Sequence, residues 1–85
     1  MKVKAYSIRD SILSTYCLPF YAQNHAHAER ICKELIVVGN NSISASPADF
    51  ELFHIGTFDD SNGVLEPLVN IEAITRLDQL TDKPL

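Results

Sequence analysis

The chain is poor in glycine, cysteine and basic residues and has no long apolar run, and each shortage excludes a class of function. Its glycines, Gly39, Gly56 and Gly63, lie far apart, so no glycine-rich loop can cradle a phosphate. Its two cysteines, Cys17 and Cys32, cannot supply the paired CxxC motifs of a structural zinc site. They fit a reducing cytosol, where free thiols act as small buried hydrophobes, and no disulfide is expected between them. The longest apolar run, Leu35-Ile36-Val37-Val38, is four residues, far short of the roughly 20 that span a bilayer. Lys2 and Lys4 stand where the apolar stretch of a secretory signal would begin, so no signal peptide is expected. Seven Lys and Arg face eleven Asp and Glu, a net charge of −4. That balance is ill suited to coating DNA, which requires Lys and Arg to displace counterions.

The charge is uneven. Residues 1–40 carry a net +2 from Lys2, Lys4, Arg9, Arg30 and Lys33 against Asp10, Glu29 and Glu34, and residues 41–85 carry −6. A local basic patch in the first half is therefore compatible with an acidic whole, although solvated surface charge explains the same residues. At 85 residues the chain reads as one domain, 1–85, that buries only about 60–65% of its unfolded surface, so association would add useful stability. An apolar content of 46% and a charged content of 21% place it among folded proteins.

The patterning predicts an α+β fold: a small, mostly antiparallel sheet of three to four strands packed against one main helix. Residues 2–8 read as a strand with small or apolar residues on both faces. Residues 12–18 read as a second short strand that Pro19 ends or confines to an edge. Asn24 caps a helix to Val38 in which Ala28, Ile31, Cys32, Leu35 and Ile36 form one apolar stripe, and Gly39 closes it. Residues 40–45 read as a polar loop. Ser46-Pro47-Ala48-Asp49 reads as one helical turn with a serine cap. Phe50 to Phe58 is a strand with Phe50, Leu52, His54, Gly56 and Phe58 on one face. Asp59 to Gly63 is a hairpin turn, with Asn62-Gly63 suited to positive φ. Val64-Leu65-Glu66 starts a return strand limited by Pro67. Residues 70–80 fit a short C-terminal helix, favoured by the recurrence of Ile71, Ile74, Leu77 and Leu80, or a strand, favoured by their β-branched content. Residues 83–85 are expected to fray.

No motif compels an enzyme. His25-x-His27 with Cys32 is the one cluster with a metal flavour, but two residues at i and i+2 on a helix point about 200° apart, so no metal site is expected and the imidazoles read as solvent-exposed at a helix start. Cys17 would need a base and an orienting group to be a nucleophile, and His54 among apolar neighbours reads as a hydrogen-bonded structural histidine. Asp59 and Asp60 read as turn residues, since a calcium loop needs alternating oxygens and a closing Glu. No catalytic or cofactor-binding residue is expected. Tyr16, Phe20 and Tyr21 flank Pro19 and read first as core residues. With Lys2, Lys4, Arg9, Arg30 and Lys33, however, Tyr16 and Tyr21 are the candidates for weak contact with single-stranded DNA by stacking and charge.

Tyr6-Ser7-Ile8-Arg9-Asp10, Pro19-Phe20-Tyr21, Ala28-Glu29-Arg30 and Pro47-x-Asp49-Phe50-x-Leu52-x-x-Ile55-Gly56-x-Phe58-Asp59, followed by Gly63 and Pro67, together resemble one family over residues 1–67. It is the small nonstructural protein of gokushovirus-type microviruses, tailless phages with circular single-stranded DNA, encoded by their fifth open reading frame. The resemblance implies a protein outside the mature capsid, acting in the host cytoplasm between DNA replication and genome packaging. It implies contact with a phage or host replication protein or a procapsid component, and it carries over no catalytic residue. A weak single-stranded DNA binder and a homo-oligomeric assembly factor, pairing through a sheet edge, are the alternatives.

Overall fold

The opening segment becomes the middle of the sheet. In a computed structural model, which describes residues 1–81, β1 (Lys2–Asp10) is followed by the short strands β2 (Thr15–Tyr16) and β3 (Phe20–Ala22). Helix α1 (His25–Val38), a one-turn helix α2 (Ser42–Ala45) and a 3₁₀ turn at Pro47–Asp49 come next. The long strands β4 (Phe50–Asp59) and β5 (Val64–Arg76) follow, and a second 3₁₀ turn at Leu77–Leu80 closes the chain. All pairings are antiparallel. β4 lies on one side of β1, β2 and β3 share its other side, and β5 forms the edge beyond β4. The α+β architecture is as predicted, with five strands rather than three to four.

Three stretches depart from the sequence reading. The strand expected over 12–18 shrinks to Thr15–Tyr16, because the Asp10 carboxylate accepts from the backbone N–H groups of Ile12 and Leu13 at 3.0 and 3.3 Å and folds the chain into a turn. The polar loop at 40–45 contains α2. Asn41 and Ser44 cap it reciprocally, Ser44 N donating to Asn41 Oδ1 at 2.7 Å and Asn41 N to Ser44 Oγ at 3.3 Å. The serine stands where a Glu or Gln usually signals this box. Ser46 makes no side-chain cap to the turn that follows.

The largest correction is the tail. Residues 70–76 continue β5 and are not a C-terminal helix; only Leu77–Leu80 form a 3₁₀ turn. Pro67 does not stop the strand, because β5 is an edge and can spare an N–H. Pro67 also stands where the register breaks. Gly56 pairs with Pro67 while His54 pairs with Glu72, so Leu68–Ile71 bow outward opposite the single residue Ile55. A second shift separates Leu52 from Phe53.

Helix α1 starts and stops as predicted: Asn24 Oδ1 accepts from His27 N at 2.8 Å, and Gly39, at φ +73°, donates to Leu35 O. Ala28, Ile31, Cys32 and Ile36 of its stripe pack into the core, whereas Leu35, expected in the same stripe, is exposed. The core unites Tyr6, Ile8, Ala22, Ala28, Cys32, Phe50 and Leu52 with Leu77 and Leu80 from the terminal turn. The expected single face of β4 is divided. Phe50, Leu52 and His54 face α1, but the irregularity at Ile55 turns Gly56 and Phe58 to the opposite face, where Phe58 meets Tyr21 at 5.6 Å. In the β4–β5 turn only Gly63 adopts positive φ, at 75°, and Asn62 instead accepts from Val64 N.

The two thiols differ sharply. Cys17 is exposed and Cys32 fully buried, and burial, then the nearby Glu29 charge, push the Cys32 thiol up to about 12. A thiol reagent is therefore expected to label Cys17 at once and Cys32 only on unfolding. The folded-state value lies above the unfolded one. The stability this thiol contributes is thus complete below the ordinary thiol range and is lost as pH climbs toward 12. Urea midpoints are expected to fall progressively above pH 9, less steeply in Cys32→Ala. An unchanged slope in that variant would contradict the assignment.

Candidate functional site

Four elements converge on one polar cluster beside the core. β1 supplies Tyr6, the first residue of α1 supplies His25, and β4 and β5 supply the cross-strand partners His54 and Glu72. The Tyr6 hydroxyl and His25 Nδ1 lie 2.7 Å apart, and His25 Nε2 is 3.2 Å from Glu72 Oε1. His54 Nδ1 is 3.4 Å from the same oxygen. The other His54 nitrogen, Nε2, donates to Gly56 O at 3.0 Å, because a carbonyl can only accept. That bond leaves Nδ1 of a neutral ring with its lone pair toward Glu72. The Tyr6 ring is fully buried and packs against Phe20, His25 and His54 with centroids 5.2–5.9 Å away. Burial, reinforced by the Glu72 charge, pushes its hydroxyl up to about 12, so it is protonated at neutral pH.

The set suggested by sequence, His25, His27 and Cys32, is not assembled. His27 Nδ1 accepts from Gln23 N at 3.1 Å at the helix entry, while Cys32 sits in the core. His25 is not a bare solvated imidazole; it turns toward the sheet. His54 is hydrogen-bonded in a buried setting, as expected of a structural histidine. Its partnership with Glu72 follows only from the strand alternative for residues 70–80, not from the helical one. Read as a strand returning on β4, they would bring Glu72 opposite His54.

The residues considered for DNA contact do not form one stripe. Arg9, Tyr16 and Tyr21 register on the face turned away from α1; Tyr16 meets Phe53 at 5.7 Å and Tyr21 meets Phe58. Lys2 and Lys4 alternate to the other face of β1, and Arg30 and Lys33 lie on α1. Arg30 borders a polar hollow of about 400 Å³ at the helix entry with Gln23, Asn24, Ala26 and His27. Asp59 acts as a turn residue: its carboxylate accepts from Ser61 N and Oγ, bonds that hold it below the usual carboxylate range.

The face away from α1 also carries an apolar depression of about 330 Å³, lined by Ser7, Tyr16, Cys17, Pro19, Ile55 and Ile71. The Ser7 hydroxyl is satisfied by donating to Cys17 O at 2.7 Å. Leu18, adjacent in sequence to Cys17 and Pro19, and Val69, two residues before Ile71, are 89% and 98% exposed, and Tyr16 and Ile71 in the depression are themselves 48% and 44% exposed.

Fold and cluster together define a small α+β protein: an antiparallel sheet covered on one face by a single long helix, with no helix among the described residues long and apolar enough to cross a membrane. The chain belongs to the Phage ORF5 protein family, whose family model matches residues 3–80. The match reaches past Pro67 through β5 and the terminal turn. Comparison with the curated proteins and with the solved structures gives no significant match.

Proposed function

We propose that this phage protein is a non-enzymatic, nonstructural factor of the host cytoplasm, acting in viral DNA replication or in the switch from replication to genome packaging through protein–protein contacts. The observation that carries the reading is the uncovered apolar face, where Tyr16 and Ile71 line a depression opposite α1. Family membership supplies the phage setting, and the resemblance to the gokushovirus nonstructural protein supplies the stage of infection. A phage or host replication protein, or a procapsid component, is the partner this reading calls for.

The test is recovery of the tagged protein from infected cells, with identification of bound protein and DNA. One replication or procapsid protein is expected to co-purify, and Ile71→Asp is expected to lower its recovery about tenfold while leaving the fold intact, since Ile71 is 44% exposed. Recovery of the wild type alone would sink the proposal. In parallel, no salt-dependent affinity for a single-stranded oligonucleotide is expected, because of the five candidate basic residues only Arg9 shares a face with Tyr16 and Tyr21, while Lys2, Lys4, Arg30 and Lys33 are on the opposite side of the sheet. Binding that weakens steeply with salt would instead establish the DNA-binding alternative.

A further inference from the structure

We propose that His25 Nε2, His54 Nδ1 and Glu72 Oε1 form a binding site for a divalent transition metal of the zinc type, a site independent of the partner contacts proposed above. The ligand atoms of the three residues all lie within 4.8 Å of one another. Two of the three separations, 3.2 and 3.4 Å, match the spacing of neighbouring ligands in a tetrahedral zinc site. With bonds of about 2.0–2.1 Å, such ligands stand about 3.3–3.4 Å apart. The widest pair must close by no more than roughly 1.4 Å.

The surrounding groups suit the same purpose. His54 Nε2–H is held by Gly56 O, which fixes the tautomer that turns a lone pair on Nδ1 toward the site. The non-ligating nitrogen of His25 is held by the Tyr6 hydroxyl, which donates or accepts as the ring requires. Metal-binding histidines are oriented in this way by a partner on the far nitrogen. Both rings address one carboxylate oxygen, and a cation between them satisfies three lone pairs at once. Two imidazoles and a carboxylate are donors that zinc accepts. The His25 and Glu72 side chains are 39% and 56% exposed, so an ion has a path in from solvent. The bound ion would tie the start of α1 to the edge strand β5.

The full-length protein titrated with zinc chloride by calorimetry, and with cobalt(II) by absorbance, tests this at one near-neutral pH. One equivalent is expected to bind with micromolar or tighter affinity and a tetrahedral cobalt spectrum. Glu72→Gln, at an exposed position, and His54→Gln are each expected to weaken binding by about 100-fold, and Tyr6→Phe by about tenfold. Cys17→Ser and His27→Gln are expected to bind as the wild type does. Absence of saturable binding, a thiolate-to-cobalt charge-transfer band, or unchanged affinity in Glu72→Gln with native circular dichroism would overturn the assignment.

Discussion

Gly56→Ala is expected to lower the stability of this protein by about 3 kcal/mol, a large part of what so small a domain has. A Cβ at Gly56 would lie 2.5 Å from the Glu66 carbonyl oxygen and 3.3 Å from Pro67 Cα. The obstacle is backbone, not the mobile end of a side chain, so β5 must move away from β4 to admit one methyl group. The strand approaches this closely because the register breaks beside Gly56. Gly39 and Gly63 serve a different need. They have positive φ and open space around them, so alanine there costs about 1 kcal/mol of backbone strain. Urea unfolding of the three variants measures the contrast. A Gly56→Ala midpoint no lower than those of Gly39→Ala and Gly63→Ala would refute it.

A chain ending at Arg76 is expected not to fold. The terminal turn inserts Leu77 and Leu80 into the core, where they are 0% and 2% exposed. Burying two leucines contributes about 3–6 kcal/mol, comparable with the whole stability of a domain of this size. Both belong to the same core cluster as Cys32, Phe50 and Leu52. Thermal unfolding followed by circular dichroism should show no cooperative transition in the truncated chain. In the full chain, Leu77→Ala should lose about 3 kcal/mol. A truncated chain that melts like the intact one would show that the core does not need its last turn.

These two sites mark where the sequence was legible and where it was not. Helix α1 could be read because every local signal agrees: the Asn24 cap, the apolar stripe through Ala28 and Cys32, and Gly39 at the exit. β1 and the first half of β4 could be read for the same reason. The second half of β4 could not, since one irregular residue at Ile55 reverses the alternation on which face assignments depend. β5 was obscured twice. Pro67 looked like a terminator but is tolerated at an edge, and the three-residue recurrence from Ile71 to Leu80 imitates a helix although it straddles a strand and a turn. The polar cluster went unseen with it. Tyr6, His25, His54 and Glu72 are scattered along the chain and meet only through the register of β4 with β5 and the placement of α1. Residues 83–85, expected to fray, lie outside the described residues.

The outward bow at Leu68–Ile71 bears on how copies of this protein behave when crowded. A long, open edge strand ordinarily templates endless strand-by-strand stacking. Here Val69 projects from the middle of that edge, and a straight incoming segment can pair with Val64–Pro67 or with Glu72–Arg76 but not with both. The irregular edge is therefore expected to oppose fibril growth: concentrated solutions should give no amyloid dye signal until the hairpin itself comes apart, and dye signal from the folded protein would contradict this.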